Sequence, residues 1–221
     1  DDFLAENLTI ENASGEGKAI GQACAITVDG DRVAFINCRF VANQDTIYTY
    51  GKGKKQYYRG CWIEGTTDFI FGASTCWFED CTILCKRNSY VTAASTPEGA
   101  EFGYVFKNCR VIADEKTDKM YLGRPWRPFA KTVFIDCELG SHIRKEGWHN
   151  WDKKYAEKTT FYAEYGSRGP GAASAKDRVK WSHALKAKDV QKYTPENVLK
   201  TGSEIDKHGV DVKVEWYFKV F

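Results

Sequence analysis

The sequence predicts an all-β protein, a right-handed single-stranded parallel β-helix with long loops and a short C-terminal helix. Two observations carry this prediction: a four-residue phrase that recurs along the chain, and the alternation of apolar and polar residues around it, which is typical of strands. The phrase is a small, mostly polar residue, then Cys or Leu, then any residue, then an aliphatic or aromatic residue. It occupies residues 7–10, 37–40, 60–63, 80–83, 108–111 and 136–139. A strand repeat of about 20 to 30 residues, with no recurring helix between copies, indicates a solenoid of stacked coils.

Length and composition fit one large domain or two small ones, and the repeat favours a single β-helix domain covering residues 1–221. Hydrophobic residues make up 43% and aromatic residues 14% of the chain, which is enough for a core and excludes disorder. No apolar run approaches the roughly 18 residues of a membrane-spanning helix. The formal net charge of +2 argues against nucleic acid as the main partner.

The second position of the phrase predicts an inward ladder along the solenoid. Equivalent residues of neighbouring coils stack about 4.8 Å apart. The ladder consists of Leu8, Cys38, Cys61, Cys81, Cys109 and Cys137. Because a free cysteine packs as a small hydrophobe, we expect buried, reduced thiols. A metal or redox site is the alternative, but the sequence contains no C-x-x-C motif; a disulfide from Cys76 or Cys85 stays open.

The repeat fades after Cys137. Residues 141–160 are predicted to form a long loop that carries Trp148 and Trp151, and residues 161–165 to form one more strand. Helical spacing over residues 184–201, with Thr194 as N-cap before Pro195, predicts a C-terminal helix packed on the solenoid. A helix of this kind commonly covers the open end of a solenoid.

Two aspartates occupy equivalent positions of consecutive coils. Asp45 follows Cys38 by seven residues, and Asp68 follows Cys61 by the same distance. In register, their carboxylates project from the outer face about one strand spacing apart. Two carboxylates so close do not both ionise readily, so one becomes a general acid beside a nucleophile or base. From the pattern alone, a pair of ordinary turn aspartates is the competing interpretation.

Four motifs in sequence order resemble the pectin methylesterase (pectinesterase) family. They are G-Q-A-C-A-I at residues 21–26, Q-D-T-I-Y at 44–48, G-T-T-D-F-I-F-G at 65–72 and Y-L-G-R-P-W at 121–126. Further C-terminal matches lie at residues 164–165, 169–172 and 178–181, so the resemblance runs from about residue 4 to about residue 200. The family usually has a preceding stretch with a G-x-Y-x-E motif that this sequence lacks. We therefore expect the first coils of the family fold to be absent, and residues 202–221 match nothing in the family.

The resemblance implies a secreted carboxylic ester hydrolase, extracellular or periplasmic, that removes methyl esters from pectin as a monomer without metal or organic cofactor. Carried onto this chain, Asp68 is the nucleophile and Asp45 the proton donor and acceptor. Gln22 and Gln44 stabilise the oxyanion, and Arg124 orients Asp68 and keeps it ionised. Whether a protein inhibitor binds is left open.

A sugar cleft is expected around these residues, because flat aromatic faces suit pyranose rings. Besides Arg124 and Gln44, its expected members are Trp126, Phe69, Tyr48, Phe71, Tyr121 and Trp151. Core packing is the alternative for Phe71.

Four other functions compete with an esterase. A β-helix pectin lyase or polygalacturonase-type glycoside hydrolase also uses acidic residues, although a lyase of this shape would require an acidic Ca²⁺ cluster. A non-catalytic β-helix carbohydrate-binding or adhesin module would need the aromatic residues but not the aspartate pair. A Ser-His-Asp hydrolase is disfavoured because the sequence contains no G-x-S-x-G motif.

Overall fold

The computed structural model describes residues 1–200, 204–205, 211–212 and 216. The chain visits three parallel sheets in turn, so each circuit forms one coil and successive coils stack through backbone hydrogen bonds. This arrangement is the parallel β-helix that the repeat predicts. Within the described part of the chain, no helix is long and apolar enough to cross a membrane.

The strands of the first sheet lie along one side of every coil. In spatial order they are β1 (Phe3–Glu6), β4 (Val33–Ile36), β7 (Lys55–Arg59), β10 (Thr75–Glu79), β13 (Tyr104–Lys107), β16 (Lys131–Ile135), β18 (Phe161–Tyr165) and β19 (His183–Ala184). The second sheet contains β2 (Thr9–Glu11), β5 (Arg39–Val41), β8 (Trp62–Gly65), β11 (Thr82–Cys85), β14 (Arg110–Ala113) and β17 (Glu138–Leu139). The third contains β3 (Ile26–Val28), β6 (Ile47–Thr49), β9 (Ile70–Gly72), β12 (Tyr90–Ala94) and β15 (Tyr121–Gly123). An antiparallel pair follows, β20 (Glu204–Ile205) and β21 (Asp211–Val212).

The small residue that opens each phrase makes the turn from the first sheet to the second. All six have left-handed backbone, with φ between 51° and 63°: Asn7, Asn37, Gly60, Asp80, Asn108 and Asp136. Glycine, asparagine and aspartate adopt this conformation most readily. The phrase therefore recurs because each coil turns the same corner.

The core is a stack of thiols beside a stack of rings. The five ladder cysteines are buried, and each thiol lies 3.4–3.5 Å from a carbonyl oxygen of the preceding coil. Beside them, consecutive rings lie 4.4–5.2 Å apart and nearly parallel: Phe35, Tyr58, Phe78, Phe106 and Phe134. Such offset stacks add to the apolar burial that holds the coils together.

Leu8 departs from the predicted ladder. Its side chain is 51% exposed, and its strand β2 pairs with β5. All eight cysteines are free, so the disulfide left open for Cys76 and Cys85 is absent. Cys24 is the one half-exposed thiol of the eight.

The structure divides the single helix predicted over residues 184–201 into two short ones. This segment holds a two-residue strand and two four-residue helices, α1 (Ala187–Val190) and α2 (Pro195–Val198). The Thr194 side chain does cap α2, accepting a hydrogen bond from Asn197 N, with Pro195 at the first position. These helices lie on the outer flank of the first sheet rather than over the end of the solenoid, with Tyr193 against Phe102.

A buried ion pair continues the core beyond the ring stack. Glu164 pairs in register with Phe134, at the position where a further ring would lie. Arg178 donates to Glu164 from Nε at 2.7 Å and from Nη2 at 3.0 Å. The same guanidinium also donates to the carbonyls of Arg144, Lys145 and Gly171. Arg178 thus ties the loop after the last full coil to the strand β18.

Candidate active site

The two aspartates lie side by side on adjacent coils, as the cysteine alignment predicts. Ile47 pairs with Ile70 across β6 and β9, so Asp45 and Asp68, two residues earlier, occupy one position of the third sheet. The amide of Asp45 donates to the carbonyl of Thr67 at 3.0 Å and fixes this register. Both aspartates have left-handed backbone and are only 5% and 6% exposed. Their placement in the turn before each strand aims both side chains outward.

Arg124 pairs with Asp68 through two parallel hydrogen bonds. Nε donates to Oδ1 at 2.9 Å and Nη2 to Oδ2 at 2.6 Å. The guanidinium lies between two aromatic rings, 3.9 Å from the ring centre of Tyr90 and 3.5 Å from that of Trp151. A planar guanidinium suits both the carboxylate and the rings, which an ammonium would not.

These neighbours give the two carboxyl groups different acidities. Burial and the nearby Asp68 carboxylate raise the pKa of Asp45 to about 7, against a smaller lowering from Arg124. Burial also raises the pKa of Asp68, while the hydrogen bonds and charge of Arg124 act to lower it. The pKa values of both carboxyl groups are thus raised, and the guanidinium that favours the ionised form donates its hydrogen bonds to Asp68 rather than to Asp45.

The aspartate position continues as a column through five coils. The registers of the third sheet place Cys24, Asp45, Asp68, Tyr90 and Tyr121 in line. Sequence reasoning did not find Tyr90, although its ring covers Arg124. Extending the seven-residue offset from Cys81 would have missed it, because Tyr90 follows that cysteine by nine residues.

An aromatic wall stands beside the pair. The Tyr48 and Phe71 rings stack at 4.4 Å, nearly parallel, and the Trp126 ring lies 6.1 Å and 5.7 Å from them. Tyr48 and Trp126 line a cavity of about 510 Å³, open to solvent, that also reaches Lys52 and Arg127. Tyr48 and Trp126 fit the expected cleft. Phe71 is buried behind them, 8% exposed, and does not line the cavity, and Tyr121 stacks one coil further on against Tyr90.

Phe69 is not part of the cleft. It is fully buried in the core, so the expectation that it binds sugar is wrong. The left-handed backbone of Asp68 interrupts the alternation of the strand, and both Phe69 and Ile70 point inward. Gly65 leaves room for this ring, since a Cβ there would lie 2.3 Å from that of Phe69.

The two glutamines lie on the other side of the pair from the aromatic wall. Gln44 is half-buried at the edge of a second cavity, of about 270 Å³, shared with Thr66 and Arg87. Gln22 is exposed on the preceding coil, where the amide of the next residue, Ala23, donates to the Gln44 carbonyl at 3.3 Å. The structure thus brings both glutamines to adjacent coils at one end of the cleft. Across the described ranges, no group of three or more His, Cys, Asp or Glu side chains is arranged to hold a metal ion.

Comparison with known proteins identifies the family. Residues 1–203 match the family model described as Pectinesterase. The chain belongs to the pectinesterase family. Pectinesterase 31 of Arabidopsis thaliana is 46% identical to it over 186 residues, which are 84% of this chain and 57% of the relative. The chain therefore spans somewhat more than half the length of that relative.

Solved structures of pectin methylesterases share the fold of this pectinesterase chain. The carrot enzyme superposes with a TM-score of 0.82 at 32% identity, covering 89% of this chain and 65% of its own. A mutant pectin methylesterase in complex with a hexasaccharide superposes with a TM-score of 0.74 at 29% identity, covering 90% and 70%. The molecule is thus a right-handed parallel β-helix of the pectin methylesterase type.

Proposed function

We propose that this chain removes methyl esters from the galacturonate units of pectin, releasing methanol. The observation that carries the proposal is the pair of stacked aspartates, of which Asp68 alone is held by two hydrogen bonds from Arg124. Membership of the pectinesterase family supports the ester as substrate. The related pectin methylesterase solved with a hexasaccharide supports an oligomeric sugar in the cleft.

The first half of the reaction forms an acyl-enzyme. The ionised Asp68 attacks the C6 carbonyl carbon, and its new C–O bond turns the carbonyl oxygen into an oxyanion. The side-chain amides of Gln44 and Gln22 donate hydrogen bonds to that oxyanion. When the oxyanion collapses, the bond to the methoxy oxygen breaks, and Asp45 gives that oxygen its proton. Methanol leaves, and a mixed anhydride links the sugar to Asp68.

The second half returns the enzyme to its starting state. Asp45, now ionised, takes a proton from a water molecule as that water attacks the anhydride carbonyl. The anhydride bond breaks, releasing the galacturonate acid and an ionised Asp68. A pKa of about 7 suits Asp45 to both steps, because it gives and regains a proton at similar cost near neutral pH.

The aromatic wall supplies the sugar-binding surface in this proposal. Tyr48 and Trp126 present ring faces beside the aspartate pair, Phe71 supports Tyr48 by stacking on it, and Trp151 lies over Arg124. A monomer acting outside the cell, with no metal or organic cofactor, completes the proposal.

Product analysis on highly methylated polygalacturonate tests the function. We expect methanol and acid to appear in equal amounts, at rates unchanged by a chelator. New reducing ends would instead assign a glycoside hydrolase, and unsaturated products that absorb ultraviolet light would assign a lyase. If circular dichroism shows that the chain is folded and it binds the polysaccharide without any reaction, the function would be that of a carbohydrate-binding module.

A further inference from the structure

The loop from His149 to Lys153 is held in an unusual shape beside Arg124. Trp151 and Asp152 are consecutive non-glycine residues with left-handed backbone, each at a φ of 56°. The amide of Trp151 donates to His149 Nδ1 at 3.0 Å, and that of Asp152 to Asn150 Oδ1 at 2.9 Å. The amide of Lys153 donates to the Asn150 carbonyl at 3.0 Å. Left-handed backbone at two consecutive non-glycine residues is strained and persists where the surroundings over-determine it, often at functional sites.

The end of this loop brings a second cation to the segment that carries Arg124. The ammonium of Lys153 donates to the carbonyls of Pro125 at 3.1 Å and Trp126 at 3.0 Å. It also lies 4.2 Å from the ring centre of Trp151, the ring that covers the Arg124 guanidinium. One tetrahedral ammonium can donate a hydrogen bond to each carbonyl and still direct its third hydrogen towards the Trp151 ring.

The Lys153 ammonium lies in surroundings that disfavour its positive charge. Burial and the cations of Arg127 and Arg124 lower its pKa, and Asp68 raises it. The charged groups facing it are thus two arginines and one carboxylate. A cation kept beside two others needs compensation, which the two carbonyls, the ring and Asp68 provide.

We propose that Lys153 is a positioning residue for the ester hydrolysis proposed above. Its ammonium contacts the carbonyls of Pro125 and Trp126 and the Trp151 ring. It therefore holds in place both the backbone that follows Arg124 and the ring that covers the Arg124 guanidinium. The guanidinium then meets Asp68 in the two-bond geometry before substrate arrives. Lys153 touches neither substrate nor Asp68 in this role, which rests on the proposed function for its chemistry.

Steady-state kinetics of Lys153→Met test the role. We expect kcat to fall by about tenfold or more with KM changed less than about threefold, because a misplaced Arg124 weakens the nucleophile rather than sugar binding. The acid limb of the pH profile should move to higher pH, since Asp68 loses a nearby cation. Lys153→Arg should restore part of the rate. Lys154→Met, which removes a neighbouring exposed lysine, is the matched control and should behave as wild type.

A second measurement reads the geometry without relying on activity. The Nε–H of Arg124 lies between two rings and donates to Asp68, so its NMR signal should be ring-shifted and slow to exchange. Loss of the signal in Arg124→Lys assigns it. In folded Lys153→Met, the Arg124 Nε–H signal should move towards the chemical shift of free arginine. If the methionine variant does not fold, Lys153→Gln is measured in its place. An unchanged signal would overturn the proposal, as would an unchanged kcat and acid limb. A wild-type chain without esterase activity would overturn the proposed function alone.

Discussion

Asp45 and Asp68 have the same backbone position on adjacent coils but different neighbours. Arg124 gives both its parallel hydrogen bonds to Asp68, whereas Asp45 faces that carboxylate from a buried position. Identical side chains therefore differ in proton affinity because of what lies around them. The division of roles between nucleophile and proton carrier depends on this difference.

Replacing each aspartate by asparagine tests the division. Asp68→Asn removes the nucleophile, so methanol release should fall to near background while oligogalacturonate binding is retained. Asp45→Asn keeps the nucleophile and loses proton transfer, which costs roughly 10²–10⁴-fold in rate. Asp80→Asn is the matched control, because Asp80 also has left-handed backbone but lies at a corner away from the cleft. Folded Asp68→Asn retaining more than about a tenth of the wild-type rate, a barrier difference under ~1.4 kcal/mol, would contradict the covalent mechanism.

The pH profile gives a separate test at the same scale. Acyl transfer needs Asp45 protonated, and its raised pKa of about 7 means that the proton is present below that pH and lost above it. The rate constant kcat/KM should therefore decline as pH rises through about 7, with the slope of one proton. In Asp45→Asn this alkaline decline should disappear from whatever activity remains. A decline that persists unchanged in the variant would show that another group titrates there.

The thiol ladder is a repeating element of the core that lies beside the ring stack in successive coils. Each ladder cysteine fills a small buried space and lies near a carbonyl of the coil before it, as Cys61 does with Phe35 at 3.4 Å. The smallness of cysteine matters, because the ring stack and aliphatic side chains pack in the same core. A larger residue at these positions would separate the stacked strands.

Substitution within the ladder should lower stability. Cys61→Ser replaces sulfur by a smaller, more polar oxygen in the core, which should reduce the free energy of unfolding by roughly 1–3 kcal/mol. Urea denaturation followed by circular dichroism measures the change. Cys24→Ser, at the half-exposed cysteine, should alter it by less than about 0.5 kcal/mol. Rapid reaction of all eight thiols with a labelling reagent in the native state would contradict the buried ladder.

The elements that sequence could predict are those with constant spacing. The phrase locates six corners, and the seven-residue offset places Asp45 and Asp68 together, because no insertion separates them from their cysteines. The seven-residue offset does not locate Tyr90, because the loop from Lys86 to Ser89 lengthens the chain between Cys81 and Tyr90. Tyr90 nevertheless lies in the same column as Asp45 and Asp68. Spacing along a chain reports spatial register only while loop length stays the same.

Other misses come from backbone conformation and from missing neighbours. Phe69 and Phe71 would share a face in an uninterrupted strand, but the left-handed Asp68 turns Phe69 inward. The C-terminal segment has helical spacing, yet its apolar residues pack on the outer flank of the first sheet as two separate turns. Helical periodicity over so few residues does not determine how many helices form, because packing decides it.

At the scale of the whole molecule, Arg178 closes the core where the ring stack ends. It is nearly buried, pairs with Glu164 and holds three loop carbonyls. Through those carbonyls it anchors the loop that leads towards Trp148 and on to Trp151. Arg178 thus stabilises both the end of the solenoid and the loop that carries Trp151, whose ring covers Arg124.

Removing that support should destabilise the entire fold. Arg178→Met leaves the largely buried Glu164 carboxylate without its guanidinium partner, which should lower the free energy of unfolding by at most about 3–5 kcal/mol. Adding Glu164→Met should recover part of the loss, because no unpaired charge then remains. Arg110→Met is the control, since its pair with Glu138 spans 3.6 Å between exposed side chains and should contribute less than about 1 kcal/mol. Thermal and urea denaturation of the four proteins distinguish these outcomes.

The register between β6 and β9 has a consequence for the tolerance of the catalytic centre. Because Asp45 and Asp68 stand on hydrogen-bonded neighbouring strands, the length of a peptide hydrogen bond sets the distance between their backbones. Side-chain packing does not set this distance between the backbones. Core substitutions elsewhere in the solenoid therefore weaken the molecule without changing the distance between these two backbones, and the scaffold can vary in sequence while the spacing of its two acids stays constant.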